Sequence, residues 1–250
     1  MLRLYPRALL LACLAAILVT GTSPFAIAQD ATPTTGEVTI LGPDESYAGV
    51  TQGEWAARWW QWTFSFPMEI SPSFDPTGER CGYGQTGPVF FLPANYLERP
   101  VTITCVVPEG VAIFLTLGSA NCSTVEPPPF FGRNEEELRA CAAAHVDSLG
   151  GSWVYINGQE VPNVEDYRSS SPVFPLSFPV NHVFFEVPKE VSGVALAVAE
   201  GYSIIIAPLP PGEYEIGTFL DTYRVIVEAP QVIEPEAAPA GSPEAATPAA

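Results

Sequence analysis

The polar residues best placed to do chemistry lie inside the most unusual segments of this chain. Glu54, Arg58 and Gln61 are interleaved with Trp55, Trp59, Trp60 and Trp62, four of only five tryptophans in the sequence. Gln85 and Asn121 sit in the Cys- and Gly-bearing segments that follow. A polar group set among large apolar side chains is either hydrogen-bonded within the fold or lines a site. Glu54, Arg58, Trp60, Gln61, Gln85 and Asn121 are therefore the candidate binding residues. Glu54 and Arg58 stand four apart, which predicts an ion pair on a helix face that orders the junction between helix and sandwich. Trp60, Tyr83, Tyr96, Trp153, Tyr155 and Tyr167 can stack on flat sugar faces or partner groups, whereas the same rings at strand positions fill a core.

Recognised catalytic patterns do not occur. The segment Gly118-Ser119-Ala120-Asn121-Cys122-Ser123 lacks the G-x-S-x-G elbow of a serine hydrolase. His145 and His182 are isolated and have no ligand spacing around them, and no Asp-rich calcium loop exists. The reading is thus of no catalytic residue, no cofactor and no metal. It favours a non-enzymatic binding or cell-envelope module, with a glycan or envelope component as the expected partner. The alternative is a secreted hydrolase that acts on polysaccharide or another envelope polymer through a pair of carboxylates. Acids are plentiful, and no motif marks one of them.

Charge narrows the partners. The formal charge is −18, and loss of Arg3 and Arg7 with an export signal takes it to −20. Lys189 is the only lysine. Nucleic acid and anionic membranes select basic surfaces, so this chain is expected to bind neither.

The ends of the chain read as segments outside the fold. Residues 1–28 have a basic start, an apolar run from Ala8 to Thr20 and the small-x-small site Ala26-Ile27-Ala28, which is the pattern of a signal peptide cleaved after Ala28. The 13-residue apolar run is too short to span a bilayer. A lipoprotein anchored at Cys13 is the rival reading, but only about five apolar residues precede that cysteine. Residues 29–36 form a polar leader, 37–229 a single domain, and 230–250 an acidic Pro/Ala-rich tail that is expected to be disordered. No transmembrane segment is expected once the signal is removed.

Four cysteines remain after Cys13 leaves with the signal. An even number in an exported chain predicts two disulfides, and none of the cysteines is spaced for zinc. Of the three possible pairings, Cys81–Cys105 and Cys122–Cys141 close local loops and are favoured.

Two helices and about ten short strands must carry these residues. Thr51-Gln52-Gly53-Glu54 is a capping box, and Pro67 stops the helix that it starts. Trp55, Trp59, Trp62 and Phe66 then share one stripe facing a core, while Trp60 points elsewhere with Ala56 and Thr63. Asn134 caps a second helix, with Glu135, Glu136 and Glu137 in its first turn and Leu138, Cys141, Ala142 and His145 on one face. Strands are expected at 87–92, 101–107, 111–117, 152–156, 172–178, 181–187, 194–199, 202–207 and 213–228. Asn157-Gly158 marks a two-residue hairpin. The class is mainly β: a jelly-roll-like β-sandwich with two helical insertions.

The run Trp55-x3-Trp59-Trp60-Gln61-Trp62 is followed by Cys81-x3-Gln85-x-Gly87-Pro88-Val89-x-Phe91-Leu92. Cys105-x2-Pro108-x-Gly110, Asn121-x-Ser123 and Pro208-Leu209-Pro210-Pro211-Gly212 complete the pattern. In this order and spacing the chain resembles a group of uncharacterised secreted bacterial proteins. The resemblance implies an export signal and an extracytoplasmic life, and it brings no catalytic residue with it.

Overall fold

The computed structural model describes residues 36–229, apart from Glu98 and Phe185. The expected signal peptide, nearly all of the leader and the tail lie outside the described residues. Ten strands form two five-stranded sheets that pack as a sandwich, with two helices added. Among the described residues no helix is long and apolar enough to cross a membrane.

The first sheet contains β1 (Val89–Phe91), β3 (Ala112–Ser123), β8 (Gly193–Ile206), β6 (Arg168–Ser170) and β7 (Phe174–Phe178). The second contains β2 (Thr102–Pro108), β10 (Thr222–Glu228), β9 (Gly212–Thr218), β4 (Val154–Ile156) and β5 (Gln159–Glu160). Each sheet includes one parallel pairing, β1 with β3 and β2 with β10, and the remaining pairings are antiparallel.

The burial patterns follow from what covers each face. β2 and β10 alternate between buried and open positions, because only one side of the second sheet meets the core. β3 opens with four buried residues in succession, because the first sheet is covered on both sides. Ile113, Leu115, Ile204 and Ile206 face the second sheet. Phe114 and Ile205 face the opposite way, into an aromatic layer with helix α1 (Gln52–Phe64). Helix α2 (Glu135–Asp147) packs on β3 and β8, and its Leu138 and Ala142 lie with Cys122 and Val198.

Both helix starts form as their sequences dictate. Thr51 and Glu54 close the capping box, and the Asn134 side chain accepts from the Glu137 N–H at 3.0 Å. Gly53 lets α1 lie against β6, since an added Cβ would come 2.3 Å from the Ser170 carbonyl oxygen. Cys81 is bonded to Cys105, and Cys122 to Cys141, as expected.

Several elements differ from expectation. Residues 194–199 and 202–207 are one continuous strand, β8, because Glu200 and Gly201 stay paired with Ala120 and Ser119 of β3. The described residues of 181–187 form a loop held by the chain's one lysine, whose Nζ donates to the carbonyls of His182, at 2.8 Å, and Phe184. His182 in that loop is completely buried, and burial above all holds its imidazole below the usual range. β6 has no apolar alternation to announce it and is set by pairing with β8.

Candidate functional site

The four clustered tryptophans are all buried, including Trp60 at 7% exposure. The helical stripe therefore holds for Trp55, Trp59 and Trp62, but the expectation that Trp60 points away from the core is corrected. Its ring meets Trp59 edge-on at 4.9 Å and lies 5.5 Å from Phe64. The β7 strand and the 182–189 loop supply further cover, because they close over the flank of α1 that a bare wheel leaves open.

What distinguishes Trp60 is its indole N–H. Trp55 donates to the Tyr47 carbonyl at 3.1 Å, Trp59 to Leu92 at 2.8 Å and Trp62 to Tyr83 at 2.8 Å. Among the described residues the Trp60 N–H has no acceptor. Trp60 instead lines two neighbouring cavities of about 540 and 390 Å³. The two share Trp60, Tyr96, Ser119 and Leu149 and so form one cleft beside α1.

A β-bulge aims the polar wall of this cleft. The register of β3 against β8 slips between Thr116 and Gly118. Before the slip, odd-numbered residues of β3 face the second sheet; after it they face α1. Ser119 and Asn121 thereby reach the cleft, while Cys122 turns to α2 and its disulfide.

Asn121 and Ser123 hold a part-buried acid, Glu126, in the aromatic part. Glu126 Oε2 accepts from Ser123 Oγ at 2.8 Å and from Asn121 Nδ2 at 3.3 Å. Burial pushes its carboxyl up to about 7, against the opposing pull of those two bonds. Tyr96, also in the wall, has its phenol raised by burial and then by the nearness of Glu126. Asp221 lines the larger cavity. Burial raises its carboxyl too, against bonds from Asn95 Nδ2 at 2.8 Å and the Val101 N–H at 3.2 Å. His145 stacks on Phe130 with ring centroids 4.2 Å apart, and both line the smaller cavity. His145 also lies within 4.8 Å of the cysteine sulfurs of the α2 disulfide, but that bond occupies both sulfurs.

The mouth is apolar. Phe219, Leu220, Leu149 and Trp153 line the larger cavity, yet are 66, 53, 44 and 40% exposed. Apolar side chains gathered around an opening mark a place where something apolar binds.

Of the six candidate binding residues, only Trp60 and Asn121 line this cleft, and of the other aromatics named for stacking, Tyr96 and Trp153 line it too. Glu54 bonds Thr51 through its carboxylate, at 2.9 Å to the N–H and 2.8 Å to the hydroxyl. The expected ion pair with Arg58 does not form: the capping box holds Glu54, and Arg58 lies over the Trp55 ring at 4.6 Å. Gln61 donates to the Pro175 carbonyl at 2.8 Å and ties α1 to β7. Gln85 bridges the Cys81 and Phe91 carbonyls and accepts from the Phe91 N–H. These four hold the architecture together. Glu126 was missed by sequence reasoning, although it stands three residues after Ser123 in the Asn121-x-Ser123 pattern, just ahead of three prolines. The chain matches no known protein family, no curated protein and no solved structure.

Proposed function

We propose that the protein is an exported, non-enzymatic binding protein that takes a small amphipathic molecule into the cleft beside α1. The unpartnered indole N–H of Trp60 carries this reading. That donor opens onto the cleft, where an acceptor on a ligand can bond it, whereas the other three indole N–H groups are already taken up by carbonyls of the fold. The surroundings agree: aromatic walls, a few convergent polar groups and a cavity of ligand size are the usual make-up of a small-molecule site. The two disulfides and the acidic composition suit life outside the cell.

The carboxylate-pair hydrolase is the second reading, favoured by the raised acids Glu126 and Asp221. It is the weaker one, because both Asp221 contacts tie that carboxyl to the Asn95–Val101 segment as a structural acceptor. The test is uptake of the neutral fluorophore N-phenyl-1-naphthylamine, with a screen for polysaccharide hydrolysis beside it. Saturable uptake by the wild type that is lost in Trp60→Ala supports binding. Absence of uptake, or turnover abolished by Glu126→Gln, overturns it.

A further inference from the structure

We propose that the ligand is an organic cation, an ammonium group on an apolar body, held where Glu126 meets the aromatic wall of the cleft. This rests on the reading of the cleft as a binding site and adds the chemical class of what it binds.

The first observation is charge. Glu126, Glu186 and Asp221 line the two cavities, and among the described residues no arginine or lysine lines either one. The cations of the fold are placed elsewhere. Arg80, Arg133, Arg139, Arg168 and Arg224 are ion-paired, Arg58 covers Trp55, Lys189 is bonded to carbonyls, and Arg99 is exposed and lines neither cavity. Glu126 therefore has only neutral donors, Ser123 and Asn121. A carboxyl set into an apolar wall without a counter-ion gains most from a ligand that brings one.

The second observation is the wall. Trp60, Phe64, Tyr96, Phe130 and Phe184 surround the smaller cavity. The faces of aromatic rings carry negative potential, and several of them around one carboxyl attract an ammonium group, with tryptophan the strongest contributor. A neutral apolar guest would need the rings but not the acid, and an anion would be repelled by both. The formal charge of −18 acts in the same direction at long range, since it draws cations toward the protein.

The state of Glu126 provides a signature. Its carboxyl titrates at about 7 when no cation is near, so a bound cation must draw that value down and release a proton. The other titratable groups of that cavity are Tyr96, His145 and Glu186. A quaternary ammonium keeps its charge at every pH, so a rise in its affinity between pH 6 and pH 8 reports on the protein.

The experiment compares choline with its neutral isostere 3,3-dimethylbutan-1-ol by calorimetry on the mature protein, with N-phenyl-1-naphthylamine uptake measured in parallel. Choline is expected to bind at least about tenfold more tightly than the isostere. Its affinity should rise from pH 6 to pH 8, and Glu126→Gln should erase most of its advantage over the isostere. A cooperative thermal transition of Glu126→Gln shows that the variant is folded. Equal affinity for the two isosteres, no binding of choline, or full choline affinity in Glu126→Gln overturns the cation assignment. Dye uptake in any of these cases leaves the cleft reading standing, and its absence removes that reading as well.

Discussion

The two faces of the first sheet are built from different side chains and close to different degrees. The face toward the second sheet is largely aliphatic, with Ile113, Leu115, Ile204 and Ile206 set against Ile103, Val225 and Ile216. Two sheets of similar extent meet there, and alternating residues interdigitate along the strands. The other face is aromatic and is covered by a single 13-residue helix with a loop beside it. One helix cannot match the area of a five-stranded sheet. Large rings span part of the remaining gap, and the rest is the cleft at Trp60. A tryptophan-rich layer here both anchors a helix and leaves a lined opening at its edge.

The comparison is broken most sharply by exchanging the two adjacent rings. Trp59→Ala is expected to cost about 4 kcal/mol in urea unfolding, because the ring is 1% exposed and bonded to the Leu92 carbonyl. Trp60→Ala should cost distinctly less, since part of its surroundings is already empty, yet it should abolish dye uptake. Equal costs would mean that the cleft is not a distinct environment.

The disulfides probe the same contrast. Cys81–Cys105 lies in the aliphatic core, whereas Cys122–Cys141 ties α2 to β3. Their sequence separations of 24 and 19 residues predict about 3 kcal/mol each from loop closure. Replacing each pair with alanines and measuring unfolding should show similar losses. Only the second replacement should also alter dye uptake, because His145 and Leu149 reach the cleft from the α2 side.

The pH dependence of stability sharpens the role of Glu126. Its carboxyl ionises near 4.5 in the unfolded chain and at about 7 in the fold. The folded state therefore binds more protons across that interval, and stability falls as pH rises from 4.5 to about 7. The loss from this one group is at most about 3 kcal/mol. Thermal unfolding of Glu126→Gln should lack this slope and exceed the wild type above pH 7. An unchanged slope would show that Glu126 is not the buried acid responsible.

The smallest effect is expected at Arg58. Its guanidinium covers an already buried Trp55 ring from the solvent side, so Arg58→Ala should cost about 0.5 kcal/mol, or one to two degrees in melting temperature. A loss of several kcal/mol would restore Arg58 as an organiser of the helix–sandwich junction.

Local chemistry was legible wherever a few adjacent residues decide the outcome. The capping box at Thr51, the cap at Asn134 and the turn at Asn157-Gly158 followed from short-range rules, and the favoured local pairing of the cysteines is the one that forms. The stripe of Trp55, Trp59 and Trp62 was legible for the same reason, since helical period alone places it. The cleft was not. Trp60 and Asn121 were singled out for their setting, but nothing near them in sequence shows that they face the same space. Glu54, Arg58, Gln61 and Gln85 stood in equally distinctive segments and proved to be braces.

By itself the sequence determined a mainly β class, two capped helices, an even set of four cysteines that favours two local disulfides, and a strongly acidic composition, because these depend on residue type and near spacing. Only the tertiary structure decided which face of β3 carries Asn121, because one bulge reverses the alternation and its position depends on pairing with β8. Only the tertiary structure, likewise, made Glu126 unusual. A carboxyl departs from its ordinary behaviour through burial and missing counter-charges, and both are set by residues far away in the chain.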